Sequence, residues 1–346
     1  MRAAVLQDLG RIVVEEAPTP EDVGDEEVLV RVRACAVCGS DVRIFRHGNP
    51  RVTPPAIIGH EIAGEVVKVG AAVAKFEPGD RVATGADVPC GVCEWCARDM
   101  CTNCATNYAL GYQFPGGFAQ YLRLNATTVR YGPVHHIPEG LSFEEATLAE
   151  PLACCLNGLE RAAFRPGESL VIIGAGPAGC LTADLAKALG AGRVILAQRS
   201  RMRLEVAKHS RADALVSTTE EDLRERVRQE TGGEGVDIAV VACASVEAQE
   251  QAPHLVRNRG RVNFFGGLPR GSRPAQVDSN LVHYKELCLT GSHGSTPHQH
   301  RVALGLIGSG QVKVGYLITH RFPLDQVEEA LRVVEEREGM KVIVTP

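Results

Sequence analysis

Apolar and polar residues alternate along parts of the first 150 positions, as in strands with one buried face. Residues 27–33 read Glu-Val-Leu-Val-Arg-Val-Arg, and a period of two places successive side chains on opposite faces of a strand. Further short segments at 62–69 and 79–83 are bounded by glycine and proline. Because short strands punctuated by turns are typical of β architectures, residues 1–149 are predicted to form a β-barrel-like domain.

The pattern changes near residue 149, where short continuous apolar runs replace the alternation. Such runs, alternating with helical periodicity, indicate a parallel sheet covered by helices on both faces. Residues 150–291 are therefore predicted to be a doubly wound α/β domain, and the whole chain belongs to the α/β class. The predicted strands of this half are 169–173, 193–198, 236–242, 261–265 and 286–291, with helices up to 189 and at 202–209. A helix at 299–309 and a strand at 341–344 complete the chain.

Composition and charge exclude several classes of protein. The 346 residues carry a net charge of −5 and no basic stripe, so no nucleic-acid partner is expected. The N-terminus lacks a signal-peptide core, and no apolar run reaches the roughly 18 residues of a membrane span. We expect a soluble, cytoplasmic protein without a membrane partner. In that setting the 12 cysteines are metal ligands or buried thiols rather than disulfides.

One group of cysteines has the spacing of a closed zinc site. Cys90, Cys93, Cys96 and Cys104 supply four thiolates within one loop. Four thiolates arranged tetrahedrally leave no position for water or substrate, so the predicted zinc is structural. Cys101 lies within the seven residues between Cys96 and Cys104 and is not expected to bind the zinc.

A second group predicts a metal site with a free position. Cys38-Gly-Ser-Asp precedes Gly59-His60-Glu61 by about twenty residues, and thiolate, imidazole and carboxylate are zinc ligands that leave a fourth position for chemistry. Glu150 is a further carboxylate that could be a zinc ligand exchanging with Glu61 or with the bound water. Taken one at a time, these residues have structural explanations that are equally good. Cys38 could be a buried thiol, His60 a hydrogen-bonded core imidazole, and Glu150 a carboxylate at the start of a helix. Together with the four-cysteine cluster, they indicate a catalytic zinc.

A glycine-rich turn predicts dinucleotide binding. Gly174-Ala-Gly176-Pro177-Ala178-Gly179 follows an apolar strand and opens a helix. The glycines allow the tight turn, the close approach of backbone to a pyrophosphate and the packing of helix on strand. The N–H groups at the start of the helix then bind the phosphates.

The end of the next strand favours NADP over NAD. NAD-binding chains usually have an acidic residue there that holds the ribose 2′-hydroxyl, whereas this chain reads Gln198-Arg199-Ser200-Arg201. Arginine binds a phosphate through two parallel hydrogen bonds, so these residues and Arg203 are assigned to the 2′-phosphate. The alternative is a solvated basic loop in an NAD-binding protein.

These motifs together resemble the zinc-containing medium-chain dehydrogenase family, and within it the sorbitol (polyol) dehydrogenase and ketose reductase branch. The resemblance covers essentially the whole chain. It implies a GroES-like catalytic domain at 1–149 and 292–346, and a Rossmann domain at 150–291 between them. It further implies a homodimer or homotetramer. The residues that carry it are Cys38-Gly-Ser-Asp, Gly59-His-Glu, the four spaced cysteines, Glu150-Pro-Leu, the glycine-rich turn and Thr319-His-Arg-Phe-Pro-Leu.

By the same resemblance, Cys38, His60 and Glu61 are ligands of the catalytic zinc, and Glu150 is a ligand or the partner of the zinc-bound water. Ser40 is implied as the first member of a proton relay. The function implied is hydride transfer between NAD(P) and a secondary alcohol: a polyol, sugar alcohol or cyclitol. The alternatives are a threonine-type or simple secondary alcohol dehydrogenase, and a zinc protein that senses NADP without turnover.

The chain departs from that family at three places. Arg43 stands where the family often has a histidine, which puts the outer proton shuttle in doubt. The loop at 293–296 reads His-Gly-Ser-Thr, where polyol dehydrogenases carry an Arg-Tyr pair that binds substrate hydroxyls. Tyr112 and Phe114 fall where pocket aromatics are expected, although packing explains them equally well. The sorbitol assignment is therefore weaker than the family assignment.

Overall fold

The computed structural model describes residues 1–346, and they form two compact units. The first comprises Met1–Ala153 and Gly294–Pro346, and the second Cys154–His293. The first boundary was expected between residues 149 and 150, but it falls inside a helix, Ala149–Arg161, whose first residues stay with the first unit. Glu150 therefore belongs to the first unit. No helix has the length and apolar composition that a bilayer span needs.

Strands and helices are numbered in chain order. The strands are β1 (Arg2–Asp8), β2 (Arg11–Glu16), β3 (Val28–Val37), β4 (Ala56–Ile57), β5 (Glu61–Val69), β6 (Arg81–Thr84), β7 (Asp87–Val88), β8 (Tyr108–Ala109), β9 (Tyr121–Leu124), β10 (Val134–His136), β11 (Ser169–Ile173), β12 (Arg193–Gln198), β13 (Ala214–Ser217), β14 (Val236–Val241), β15 (Val256–Phe264), β16 (Cys288–Gly291), β17 (Ile318–Pro323) and β18 (Lys341–Thr345). The helices are α1 (Gly39–His47), α2 (Glu94–Ala97), α3 (Ala126–Tyr131), α4 (Phe143–Thr147), α5 (Ala149–Arg161), α6 (Pro177–Ala188), α7 (Arg201–Ala207), α8 (Leu223–Glu230), α9 (Val246–Gln251), α10 (Ser279–Tyr284), α11 (Pro297–Gly308) and α12 (Val327–Glu335).

The first unit is built on β-sheets, as predicted. Its main sheet has seven strands in the order β10-β6-β5-β3-β18-β17, with β9 also paired to β3. A three-stranded sheet β2-β1-β4 and the pair β7-β8 accompany it. Strand β3 extends beyond the predicted 27–33 because residues 34–37, Ala-Cys-Ala-Val, continue the pairing with both faces buried. That extension carries the chain directly to Cys38.

The second unit is the predicted doubly wound domain. Its six strands lie in the order β13-β12-β11-β14-β15-β16, and every pair is parallel. Because the order reverses at β11, a ligand crevice is expected at the carboxyl ends of β11 and β14. Strand β15 starts five residues before the predicted 261, at Val256. Residues 257–259, Arg-Asn-Arg, are exposed and Arg259 has a φ of 59°, so no apolar run marks this start.

Two stacked histidines lie inside the first unit. The rings of His135 and His300 are 5.3 Å apart at 27°. His300 is fully buried, and neither of its ring nitrogens has a hydrogen-bond partner. Burial lowers the pKa of His300 to about 3, and that of His135 to about 4 despite its contact with the Pro297 carbonyl. Both rings are therefore neutral at neutral pH.

We expect acid to destabilise the protein through this pair. An unfolded histidine takes up a proton near pH 6.5, whereas folded His300 does so only near pH 3. Its contribution to stability is thus present above pH 6.5 and lost as the pH falls. Linkage gives a loss of about 2 kcal/mol at pH 5 from a fully buried ring. Urea unfolding of the His300→Leu variant should show a shallower loss of stability between pH 7 and 5. An unchanged pH slope would contradict this account.

Candidate active site and metal centres

Cys38 is held at the junction of β3 and α1. Its backbone N–H donates to Asp41 Oδ2 at 2.8 Å, so the first turn of α1 is closed by a fully buried carboxylate. The other oxygen of Asp41 lies 3.0 Å from His60 Nδ1. Asp41 therefore joins the two predicted ligand segments, a role that sequence reasoning did not assign. A carboxylate three residues after a helix start is a capping signal, and its second contact depends on the fold.

His60 and Glu61 are positioned by the glycine before them. Gly59 has a φ of 93°, and a Cβ at this position would lie 2.9 Å from the Cys35 sulfur. Strand β5 begins directly afterwards at Glu61. As a result, donor atoms of Cys38, His60 and Glu61 all lie within 4.8 Å of one another. The structure thus brings together the three residues predicted to hold the catalytic zinc.

These three donors suit zinc in chemistry as well as in distance. Thiolate, imidazole and carboxylate are the usual zinc ligands, and the Asp41 contact at Nδ1 leaves His60 Nε2 to face a metal. Burial alone would lower the pKa of His60, but Asp41 and Cys38 raise it well above its ordinary value. The surroundings of the imidazole are therefore strongly anionic, as a cation site requires.

Glu61 has a second buried partner that the sequence did not reveal. Lys341 Nζ on β18 donates to both carboxylate oxygens of Glu61. Lys341 is 3% exposed and Glu61 is fully buried, so this ion pair is excluded from water. Burial would lower the pKa of Lys341, but the charges of Glu61 and Cys38 raise it. The lysine therefore stays protonated and offsets part of the negative charge of the site.

Glu150 lies close to this centre without belonging to its three-donor set. It is buried in the first turn of α5. Burial raises its pKa to about 7, helped by Glu61 and Asp87 and opposed by His60 and Lys341. A carboxyl group with a pKa near neutrality can hold or release a proton at working pH, as a partner of a metal-bound water would.

Ser40 faces the same centre. Its Oγ is 3.4 Å from His60 Nε2, and its side chain interacts with that of Tyr112. The Tyr112 ring lies 5.9 Å from the His60 ring, whereas Phe114 packs on Tyr108 at 5.1 Å. Of the two expected pocket aromatics, Tyr112 reaches the site and Phe114 contributes to packing. Arg43 is exposed on α1.

The four spaced cysteines also converge, and their donor sulfurs lie within 4.8 Å of one another. Cys93 and Cys96 are 3.5 Å apart, and Cys93 and Cys104 are 4.0 Å apart. Burial would raise the pKa of Cys104, but bonds from the Thr106 hydroxyl and from backbone N–H groups lower it to about 6. A low thiol pKa favours the thiolate that binds metal. Cys101 stays outside the four, in contact with Cys96.

The glycine-rich turn has the predicted geometry. Gly174 ends β11 with a φ of 111°, and a Cβ there would lie 2.9 Å from Cys243 Cβ. A Cβ on Gly179 would lie 1.8 Å from the Gly174 carbonyl oxygen, so helix and strand meet too closely for any side chain. Gly176 caps α6, Pro177 is its first residue and Ala178 follows. The helix N–H groups are thus available to a pyrophosphate.

The residues after β12 form a basic loop near this turn. The side chain of Gln198 accepts hydrogen bonds from the backbone N–H groups of Arg199 and Ser200 at 2.7 and 3.4 Å. Ser200 caps α7 by accepting from Arg203 N. Arg203 Nη1 lies 3.4 Å from where a Cβ of Gly176 would be, while Arg199 is exposed. Arg203 therefore reaches the phosphate-binding turn, and Arg199 extends into solvent.

The loop after β16 is occupied with structural contacts. A Cβ on Gly294 would lie 2.2 Å from Asp87 Oδ2, and Ser295 N donates to the same oxygen at 3.1 Å. Thr296 caps α11 in a reciprocal pair with Gln299. Backbone contacts to Asp87 and the cap of α11 thus fix this loop within the first unit.

Comparison with known proteins places this site in a family. Residues 24–137 match the model of the alcohol dehydrogenase GroES-like domain, and residues 177–309 match the zinc-binding dehydrogenase model. The chain therefore belongs to the zinc-binding alcohol dehydrogenase family. This confirms the predicted fold of a GroES-like and a Rossmann domain, and the predicted class of nicotinamide-dependent, zinc-dependent oxidoreductase.

Individual relatives match over nearly the full length. The sorbitol dehydrogenase of Bacillus subtilis strain 168 is 33% identical, covering 100% of this chain and 97% of its own. The L-threonine 3-dehydrogenase of Pyrococcus furiosus is 34% identical, covering 96% and 94%. Among solved structures, a zinc-binding dehydrogenase of Sinorhizobium meliloti 1021 bound to NADP has a TM-score of 0.92 at 31% identity, covering 100% of this chain and 99% of its own.

Proposed function

We propose that this enzyme oxidises a secondary alcohol of a polyol, sugar alcohol or cyclitol to the ketone, with NADP as the hydride acceptor. The observation that carries the proposal is the three-donor centre of Cys38, His60 and Glu61 beside the Ser40 hydroxyl. A structural zinc needs four protein ligands, whereas this centre has three and an adjacent group able to carry protons. The sorbitol dehydrogenase relative supports a polyol as substrate.

The chain's own residues supply binding and proton movement at this centre. Zinc, when bound, supplies Lewis acidity toward the substrate oxygen, and the cofactor supplies the hydride acceptor. Asp41 fixes the tautomer and orientation of His60. Ser40 Oγ lies next to His60 Nε2 and is placed to receive the hydroxyl proton of an alcohol. Glu150 can take up or release a proton near neutral pH.

We further propose two zinc ions per chain, one in each donor set. The four cysteines form the closed, structural site, and their loop contains few other buried residues. The three-donor centre forms the catalytic site. Metal analysis of purified protein should give two zinc ions per chain.

NADP preference rests on the loop after β12. Arg203 lies against the phosphate-binding turn, and Arg199 and Ser200 stand beside Gln198, where a carboxylate would repel a 2′-phosphate. We expect Gln198→Asp to shift the ratio of kcat/KM for NADP over NAD toward NAD by at least about tenfold. A carboxylate facing the 2′-phosphate would cost about 1.4 kcal/mol or more, which corresponds to that factor. Steady-state kinetics with both cofactors measures it. The control Lys208→Ala, on the same side of the domain but paired to Glu205, should leave the ratio unchanged. An unshifted ratio for Gln198→Asp would mean that the basic loop is merely solvated.

A substrate panel tests the function itself. NADP and NAD reduction would be followed with polyols, cyclitols, threonine and simple secondary alcohols, each with and without a chelator. Chelator-sensitive turnover that is fastest with a polyol or cyclitol is the expected result. Preference for threonine would favour the second candidate, which the Pyrococcus furiosus relative supports. Tight cofactor binding without any turnover would favour a protein that senses NADP.

Subunit number, cellular location and binding partners can be proposed as well. We propose a homodimer or homotetramer that works in the cytoplasm and contacts neither nucleic acid nor membrane. Strand β16 supports assembly, because it lies at the edge of its sheet with largely exposed residues, and such edges invite pairing with another chain. The net charge of −5 disfavours nucleic acid. Light scattering on the purified protein would give the subunit number.

A further inference from the structure

Tyr112 occupies a defined place beside the three-donor centre. Its side chain interacts with that of Ser40, and Ser40 Oγ lies 3.4 Å from His60 Nε2. Its ring centroid is 5.9 Å from that of His60. A continuous row of hydroxyl groups thus leads away from the nitrogen that faces the metal position, first Ser40 and then Tyr112.

The backbone holds Tyr112 there. The loop that carries it is hydrogen-bonded to the segment before His60, through Gly116 N to Ile57 O at 2.8 Å and Gly117 N to Gly59 O at 2.9 Å. Gly111 has a φ of 72°, and a Cβ on it would lie 2.8 Å from the Gly59 carbonyl oxygen. The loop can approach this closely only with glycine at position 111. The position of Tyr112 relative to His60 is therefore set by main-chain contacts.

A cation also packs on the Tyr112 ring. The guanidinium carbon of Arg51 lies 4.9 Å from the Tyr112 ring centroid. Arg51 is itself anchored, because its side chain donates to the Asn107 carbonyl and its backbone N–H donates to Asn49 Oδ1 at 2.9 Å. The attraction between a cation and an aromatic face favours this stacking. The ring thus contacts both Arg51 and His60, which hold it beside Ser40.

An alternative carrier at position 43 is excluded by chemistry. Arg43 is exposed, and an arginine side chain stays protonated under all ordinary conditions, so it cannot accept a proton. A phenol can accept one hydrogen bond and donate another. Burial raises the pKa of Tyr112, which keeps the group a neutral hydroxyl capable of both.

Building on the proposed function, we propose that Tyr112 is the positioning residue that directs Ser40 and passes on its proton. As the O–H bond of the substrate alcohol breaks, its proton moves to Ser40 Oγ and its electron pair stays on the substrate oxygen. The Ser40 proton moves to the Tyr112 hydroxyl, and the phenolic proton moves to water. Ser40 and Tyr112 end as neutral as they began, and one proton reaches the solvent. Tyr112 acts through Ser40 and does not touch the substrate.

The test measures proton release directly. Zinc-loaded protein with bound cofactor is mixed with trifluoroethanol, an alcohol that loses a proton readily and hydride poorly, and a pH-indicator dye is followed by stopped flow. We expect Tyr112→Phe, which keeps the ring and its contacts with Arg51 and His60, to slow proton release on the order of tenfold, below the effect of a direct acid–base group. Tyr108→Phe makes the same chemical change on an exposed residue nearby and should release protons at the wild-type rate.

Two further comparisons separate the possible outcomes. In a Ser40→Ala background, Tyr112→Phe should add less than about a twofold change, because coupled residues are not additive. The proposal is overturned if Tyr112→Phe releases protons at the wild-type rate. It is also overturned if Tyr112→Phe causes the same tenfold loss with Ser40 and with Ala at position 40, or if Tyr112→Phe loses zinc. If the wild type releases the proton but oxidises no alcohol, the proposed function fails while this comparison still stands.

Discussion

Cys38→Ser should reduce alcohol oxidation by roughly a thousandfold or more while leaving NADP binding intact. Cys38 supplies the one thiolate among the three donors of the catalytic centre. Lewis-acid assistance by zinc contributes several kcal/mol to such reactions, and about 4 kcal/mol corresponds to that factor. The glycine-rich turn lies in the other compact unit, so the cofactor keeps its own contacts. Initial rates, zinc content per chain and NADPH fluorescence titration measure the three quantities.

A cysteine outside both metal centres provides the control. Cys288 is exposed on β16, and Cys288→Ser should retain activity and zinc. For Cys38→Ser, we expect the zinc content to fall by one ion per chain while the four-cysteine site stays filled. Full activity in Cys38→Ser would contradict the assignment of Cys38 as a ligand of the catalytic zinc. Loss of both ions would instead mean that the two sites do not form independently.

Lys341→Met should greatly reduce the stability of the protein. Lys341 and Glu61 form an ion pair that is almost entirely excluded from water. Removing the ammonium group leaves a buried carboxylate without its partner, which costs about 3–5 kcal/mol. We expect this loss in urea unfolding of the zinc-free protein. A smaller loss is expected when zinc is bound, because the metal also neutralises Glu61.

Two companions make that result specific. Lys341→Met combined with Glu61→Gln should recover part of the loss, since the unpaired charge is gone. Lys68→Met removes an exposed lysine that donates to the Glu21 carbonyl at 2.8 Å, and it should change stability by less than about 0.5 kcal/mol. If Lys341→Met unfolds like Lys68→Met, the buried pair contributes nothing and the account of Glu61 is wrong.

Features fixed by local spacing were the most predictable from sequence. The glycine-rich turn, the four-cysteine group and Gly59-His-Glu each lie within a few positions of the chain, and each has the geometry that its spacing predicted. The parallel sheet was predictable because its buried strands are continuous apolar runs. The start of β15 lies five residues before the predicted start, because the first residues of the strand are polar and its backbone is irregular there.

Contacts between distant parts of the chain were not predictable in this way. Asp41 could be read as a helix cap, but its second bond to His60 requires β3 and β5 to pair first. Lys341 lies 280 positions from Glu61, and nothing in the local pattern around it distinguishes it from a surface lysine at the start of a strand. Tyr112 was an ambiguous aromatic until the loop contacts with Gly59 fixed its place. In each case the sequence does not show how two segments that are far apart along the chain align with each other in the fold.

The placement of β18 has a consequence for biosynthesis. This last strand is inserted between β3 and β17 in the seven-stranded sheet, and it brings Lys341 to Glu61. During translation from the N-terminus, the sheet therefore remains incomplete until β18 has left the ribosome. The second unit is continuous in sequence, Cys154–His293, and all its strands emerge earlier. The cofactor domain can thus fold co-translationally, whereas Glu61 gains its Lys341 partner only after the whole second unit has emerged.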